Sequence, residues 1–173
     1  MKIVQINVIC NGSTGKIMCQ IQNQAIAEGM DACSFYGRGS APDPEKAKGT
    51  FSRIESPFAV YAHVIKARFL DKMGHGSRGA TKRLVRKLKE IQPDIVHLHN
   101  IHGYYLNIKV LFKYLKENHV KVIWTLHDCW AFTGGCAYFL ACGCEKWREG
   151  CFACPQKNTY PQSYLDKSKR EYL

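Results

Sequence analysis

Two short apolar runs constrain this chain more than any other feature. IVHL and VIW, within PDIVHLHN (93–100) and VKVIWTLHD (120–128), are nearly unbroken by polar residues. A strand covered on both faces reads this way, and such strands belong to parallel sheets. Residues 2–8 and 30–36 supply two further strands. Helical patterns separate them: 15–28 with Ile17, Ile21 and Ile26 on one side, 58–72, a basic segment ending at Ile91, and 105–118. CNGSTG (10–15) is a turn offering Ser13 or Thr14 as a helix N-cap. Residues 37–56 read as a polar, Gly- and Pro-bearing loop, and GHGSRG (74–79) as a break. The expected class is α/β: a Rossmann-like parallel sheet with helices on both faces. At 173 residues this is one ordinary domain with room for a real core.

In such sheets ligands bind beyond the carboxyl ends of the strands. The polar residues obey that rule. Gly12 to Lys16 follow the first strand, His97, His99, Asn100 and His102 sit on or after a later one, and His127 and Asp128 close the last. The turn NGSTGK is not a Walker A loop, because Lys16 precedes Ile17 where Ser or Thr is needed. Its backbone N–H groups, at a helix start, suit an anion. His97 lies within an apolar run and reads as a buried, hydrogen-bonded core histidine, whereas His99 and His102 are better site candidates. Tyr104 and Tyr105 read as aromatic packing. His127 stands at the working edge, and the adjacent Asp128 could fix its tautomer and raise its pKa. A purely structural Asp–His pair pinning the following loop is the competing reading.

That loop holds Cys136, Cys142, Cys144, Cys151 and Cys154, with glycines at 134, 135, 143 and 150. No secretory pattern opens the chain and no membrane-length apolar run follows, so a cytoplasmic setting is expected, where structural disulfides are rare. Cys151-x2-Cys154, with Cys136 and either Cys144 or Cys142, has the spacing of a sulfur-only zinc site, closed and structural. Free or redox-active thiols are the alternative. A metal would staple this loop without a local apolar core. Cys10, Cys19 and Cys33 sit in apolar patterns and read as small buried hydrophobes.

The formal net charge is +11, and nine Lys or Arg fall within residues 61–90 against Asp71 and Glu90. Such a face seeks phosphates on nucleic acid, an anionic membrane or a phosphorylated substrate. In 58–72, Phe58, Ala62, Ile65 and Phe69 form one stripe. Packing on the sheet is its plain use, with docking on anionic lipid as the alternative for the basic surface.

NGSTGKI, PDIVHLHNIHGYYLN and TLHDCWAFTGGCAYF…GCEKWREGCFACPQK together resemble the N-terminal domain of bacterial family 4 glycosyltransferases of the capsule and exopolysaccharide type. The resemblance covers nearly the whole chain. It implies the GT-B architecture, two Rossmann-like domains across a cleft, with the acceptor on this side and the nucleotide-sugar on the other. The implied enzyme is a hexosyltransferase-type protein acting on a glycan or lipid-linked acceptor in surface polysaccharide synthesis, at the inner face of the plasma membrane. It implies His127, with Asp128, beside the reacting sugar, and Gly12, Gly15, Lys16, His99, Asn100 and His102 around the substrate. Similar chains carry GC before KW, which favours Cys136, Cys144, Cys151 and Cys154 as ligands, leaves Cys142 as a spare thiol and makes Cys129 an unlikely one. On this comparison residues 1–173 are an incomplete acceptor-side domain containing a Cys-rich loop at 129–157. The donor domain is absent and the piece is inactive alone. A zinc-stabilised basic nucleic-acid-binding module is the second function class, though no reader motif accompanies the charge.

Overall fold

The computed structural model describes residues 1–70, 73–133, 135–149, 153–159, 162 and 164. Five parallel strands are β1 (Lys2–Asn7), β2 (Asp31–Tyr36), β3 (Thr50–Arg53), β4 (Ile95–Leu98) and β5 (Lys121–Trp124). Four helices connect them: α1 (Gly12–Ala27), α2 (Pro57–Leu70), α3 (Arg78–Ile91) and α4 (Ile108–Glu117). The spatial order is β3-β2-β1-β4-β5. The chain thus winds outward from β1 to β3, then crosses back to β4 and β5. The α/β class and parallel sheet follow the sequence expectation.

Strand alternation gives the sheet two unlike faces. Val4, Ile6, Val96 and Leu98 join Leu84 and Leu88 of α3 and Leu111 and Leu115 of α4 in the main apolar core. On the opposite face, toward α1, β1 presents Gln5 and Asn7 and β2 presents Ser34, all essentially buried. The carbonyl of Met18 in α1 accepts from Gln5 Nε2 at 2.9 Å.

Four local expectations need correction. The helix at the first turn starts at Gly12, after Asn11 in extended conformation, so Ser13 and Thr14 lie inside it and neither is the N-cap. Its inward residues are Gly15, Met18, Cys19, Gln22 and Ala25, while Ile17 is exposed. A helix covering a polar sheet face needs small and amide side chains there, not a row of isoleucines. The loop read at 37–56 contains β3, whose short TFSR sequence carries no apolar run. The last strand is not covered on both faces: Val122 and Ile123 of β5 are 41% and 50% exposed, at the sheet's edge.

The stripe on α2 is the largest departure. Phe58, Ile65 and Phe69 are 83%, 44% and 50% exposed, and the helix buries only His63 and Ala67. The helix packs on the 74–77 turn, where a Cβ on Gly76 would collide with the His63 ring. Gly76 leaves room for the His63 ring, so the His63/Ala67 face turns inward and the bulky apolar residues stay outside.

Candidate functional site: a histidine relay at the sheet rim

The rim beyond the strands is held by close backbone approaches. A Cβ on Gly15 would strike the Cys10 backbone, and one on Gly37 the Tyr105 ring. These two glycines let the loops after β1, β2 and β4 meet. Asn7 ties them further. Its Nδ2 donates to Thr14 Oγ1 at 3.3 Å, and its Oδ1 accepts from the Val8 and Asn100 amides at 2.8 and 3.3 Å. Asn11 Nδ2 donates to Ser40 Oγ at 2.9 Å, fastening the loop after β2. Gly12 and Lys16 lie exposed in the first turn of α1, while Gly15 is buried as a packing residue.

The histidines form a relay. His99, 1% exposed, places Nε2 3.1 Å from Gln5 Oε1 and Nδ1 3.0 Å from His127 Nε2. Gln5 is oriented by its other contacts: Nε2 must face the Met18 carbonyl, so Oε1 faces His99. That oxygen only accepts, hence His99 carries its proton on Nε2. Burial, with His97 and His127 nearby, pushes the His99 pKa down to about 3. The neutral ring then accepts at Nδ1, and His127 must donate from Nε2. The lone pair of a neutral, half-buried His127 therefore sits on Nδ1, outside the relay. Behind Gln5 the network continues through the Ser34 hydroxyl, which donates to Gln22 Oε1, and through Gln22 Nε2 to the Lys48 carbonyl at 2.6 Å.

Asp128 serves a different histidine. Its Oδ2 accepts from His102 Nε2 at 2.7 Å, with both side chains almost fully buried, and its Oδ1 accepts from the Trp130 amide at 2.9 Å. Gln5 and His99, not Asp128, fix the His127 tautomer. Burial lowers the His127 pKa against the opposing pull of Asp128, so the shift runs opposite to the expected rise. Burial alone would raise Asp128, but the hydrogen bond and charge of His102, the Trp130 amide and His127 bring it below the usual carboxylate value. His97 is buried and bonds Thr125 Oγ1 at 2.8 Å, as its place in the apolar run indicated. Tyr104 and Tyr105 are buried packing residues. His99 and His102 thus stand behind the rim surface, while Asn100 and His127 reach it half-buried.

Sequence reading missed Gln5, Ser34 and Gln22. Polar residues alternating inside strand and helix patterns were the available signal. Such a residue interrupts an apolar run in the same way whether it faces solvent or a buried amide line.

In the Cys-rich loop, Cys136, Cys142, Cys144 and Cys154 line one small apolar cavity. Burial pushes the Cys136 thiol up, and the sulfurs of Cys154, Cys142 and Cys144 add to it. Cys142 is as much a neighbour as Cys144, so the geometry does not separate them. Among the described residues no three His, Cys, Asp or Glu side chains converge to hold an ion, and Cys151 lies outside those residues. The loop also has an aromatic centre of its own, against expectation. The Phe139 and Trp147 rings lie 5.1 Å apart, and Phe132 lies 6.1 and 5.5 Å from them. Cys10 and Cys19 are buried, and burial raises their thiol pKa values, that of Cys10 to about 12.

The chain is 28% identical, over 97% of its length, to an Escherichia coli (strain K12) protein named for colanic acid biosynthesis as glycosyl transferase WcaC. It spans 43% of that relative, less than half. The sequence profile of Glycosyltransferase Family 4 matches residues 23–154, which hold β2 to β5, the His99–His127 pair, Asp128 and most of the Cys-rich loop. On that match, the chain belongs to Glycosyltransferase Family 4.

Proposed function

We propose that these residues form the acceptor-side domain of a GT-B glycosyltransferase that moves a sugar from a nucleotide-sugar to a glycan or lipid-linked acceptor in surface polysaccharide synthesis. The observation that carries the reading is His127: half-buried at the carboxyl end of β5, with Nε2 committed to His99 and Nδ1 left for a ligand hydroxyl. A sugar presents many hydroxyls and no charge, so a neutral acceptor nitrogen of fixed tautomer suits it. His127 touches the reacting sugar. Asp128 acts through His102 and the loop, as a positioning residue. Asn100 lines the same small pocket as His127, and the Gly12–Lys16 turn, tied to it through Asn7, holds substrate from the neighbouring loop.

Sugar transfer also needs the donor held opposite, since proximity supplies much of the rate. On this reading the domain supplies one wall of the cleft, and the expected outcome is that the 173-residue chain alone is inactive. The test is transfer from a panel of nucleotide-sugars, by this chain and by a version carrying a family-type donor domain. In the longer form, His127→Ala should cut turnover about a hundredfold or more with folding intact. Robust transfer by the short chain would sink the half-enzyme reading, and unchanged turnover in folded His127→Ala would return that residue to a structural role.

Two finer parts belong to the same reading. The Cys-rich loop holds one structural zinc through Cys136, Cys144, Cys151 and Cys154. Its support is the shared cavity of the described sulfurs and their soft-donor chemistry. Zinc content near one per chain, lost in Cys154→Ser, is expected, and a metal-free folded protein would end the idea. The domain also works at the inner face of the plasma membrane, touching it through the exposed Phe58, Ile65 and Phe69 of α2 beside its basic neighbours. Among the described residues no helix is long and apolar enough to cross a membrane. Co-sedimentation with anionic but not neutral vesicles, lost in Phe58→Ser/Phe69→Ser, is the matching measurement, and equal binding to both vesicle types would remove the contact.

A further inference from the structure

A cleft of about 680 Å³ opens between α2, the turn before α3, and α4. None of the residues of the histidine relay lines it. Its size is that of a small-molecule site. Four cationic side chains line it from three separate elements: Lys66 of α2, Arg78 of α3, and Lys109 and Lys113 of α4. One carboxylate, Glu55, also lines it. Glu55 is buried, its Oε1 accepting from the Ser56 amide at 3.0 Å and lying 3.7 Å from Arg83. Lys113 also lies 3.7 Å from Glu117, an exposed contact of little weight.

The neutral polar groups of the cleft are engaged with one another. His63 Nε2 accepts from the Gly76 amide at 3.0 Å, and Nδ1 lies 3.0 Å from Ser77 Oγ. Asn107 accepts from the Val110 amide at 3.1 Å and donates to the His75 carbonyl at 2.9 Å. What the cleft offers a ligand is therefore positive charge. The first turns of all three helices contribute lining residues, and none of those turns contains an acid. Their N-terminal dipole ends carry the same sign, partly offset at α2 by Glu55 and at α4 by the Asn107 cap. Burial pushes the His63 pKa down to about 4 against a hydrogen bond to the Tyr104 backbone, and Lys66 and His75 add smaller pushes in the same direction as burial.

We infer that this cleft binds the phosphate group of a phosphomonoester or diphosphate, at a site separate from the sugar-facing rim. Cations arriving from three walls suit a compact polyanion better than a single planar carboxylate. The lip carries Phe58 and Ala62, so a phosphate with an apolar attachment fits as well as a free one. The inference does not depend on sugar transfer, and its test uses no donor or acceptor sugar.

Pyrophosphate titrated into the 173-residue chain, followed by calorimetry, should bind saturably at one site. Arg78→Gln/Lys109→Gln, which removes charge without reversing it, should weaken binding about tenfold or more with the thermal transition retained. Lys87→Gln/Lys89→Gln, on the exposed side of α3, should leave it within about twofold. Vesicles then separate the sources. Preference for phosphatidic acid over phosphatidylserine at equal surface charge, competed by pyrophosphate, assigns a lipid phosphate. Saturable binding of free pyrophosphate without that preference assigns a soluble one. No saturable binding by the unaltered chain, or equal weakening by the two double variants, overturns the site.

Discussion

The two faces of one sheet are built by opposite rules. Toward α3 and α4, Val4, Ile6, Val96 and Leu98 meet leucines, and nothing polar is required of them. Toward α1, Gln5, Ser34, Gln22 and His99 are equally buried yet joined side chain to side chain. The apolar face gains from area removed from water and tolerates changes of shape that keep volume. The amide face gains little net from each bond but is costly to break, because a buried group left unpaired keeps its desolvation penalty. Stability should therefore live mostly on the first face, and the tautomer of His127 wholly on the second.

The largest effect should come from the apolar face. Leu98→Ala removes a fully buried side chain between β1 and β5 and should cost about 2–5 kcal/mol in urea unfolding. It should leave the His127 ring nitrogens unchanged in folded protein. A shift of those resonances in Leu98→Ala would break the division between the faces.

Acid should act through buried neutral histidines, which lie on the amide face and under the α2 contact but not in the apolar core. His99 on the amide face and His63 on the inner side of α2 have pKa values lowered to about 3 and about 4, and His97 is lowered too. The unfolded chain takes up protons near pH 6.5 while the folded one does not, so the unfolded state binds more protons as the pH falls. Stability is fully present above about pH 6.5 and declines toward pH 4, by up to about 1.4 kcal/mol per pH unit for each such histidine. Urea midpoints measured across that window check the slope, and His63→Gln and His99→Gln should each remove one histidine's share. A flat profile would mean that these rings are not buried neutral.

How much of this was legible in the sequence divides along the same line. Apolar runs such as IVHL announce a parallel sheet, because covering both faces forbids alternation. The rim was equally readable, since polar residues at strand ends follow from where such sheets open. The amide face was not, because Gln5 and Ser34 interrupt their strands as solvent-facing residues would. Only the fold brings Gln5, 94 positions away, against His99. Asp128 misled for a related reason: adjacency in sequence suggested a pair with His127, but the turn aims its carboxylate at His102. The α2 stripe misled because periodicity marks an apolar face without saying what covers it.

The smallest effect is the sharpest test of the relay. Gln5→Leu keeps roughly the volume but leaves the His99 Nε2–H without its acceptor, a loss of about 1–3 kcal/mol. It also frees His99 to change tautomer, so the nitrogen shifts of both His99 and His127 should move. Ser34→Ala lies one link further back. Its hydroxyl bonds Gln22, and its contact with Gln5 Nε2 is long at 3.4 Å, while the Met18 carbonyl still holds that amide at 2.9 Å. Gln5 should stay oriented, so Ser34→Ala should cost only about 1 kcal/mol and leave the His127 nitrogens where they were. Nitrogen-detected imidazole spectra of the two variants decide the point. If Ser34→Ala moves His127 as far as Gln5→Leu does, the whole amide line sets the tautomer. If neither variant moves it, His127 is held by the loop and the relay is only a packing arrangement.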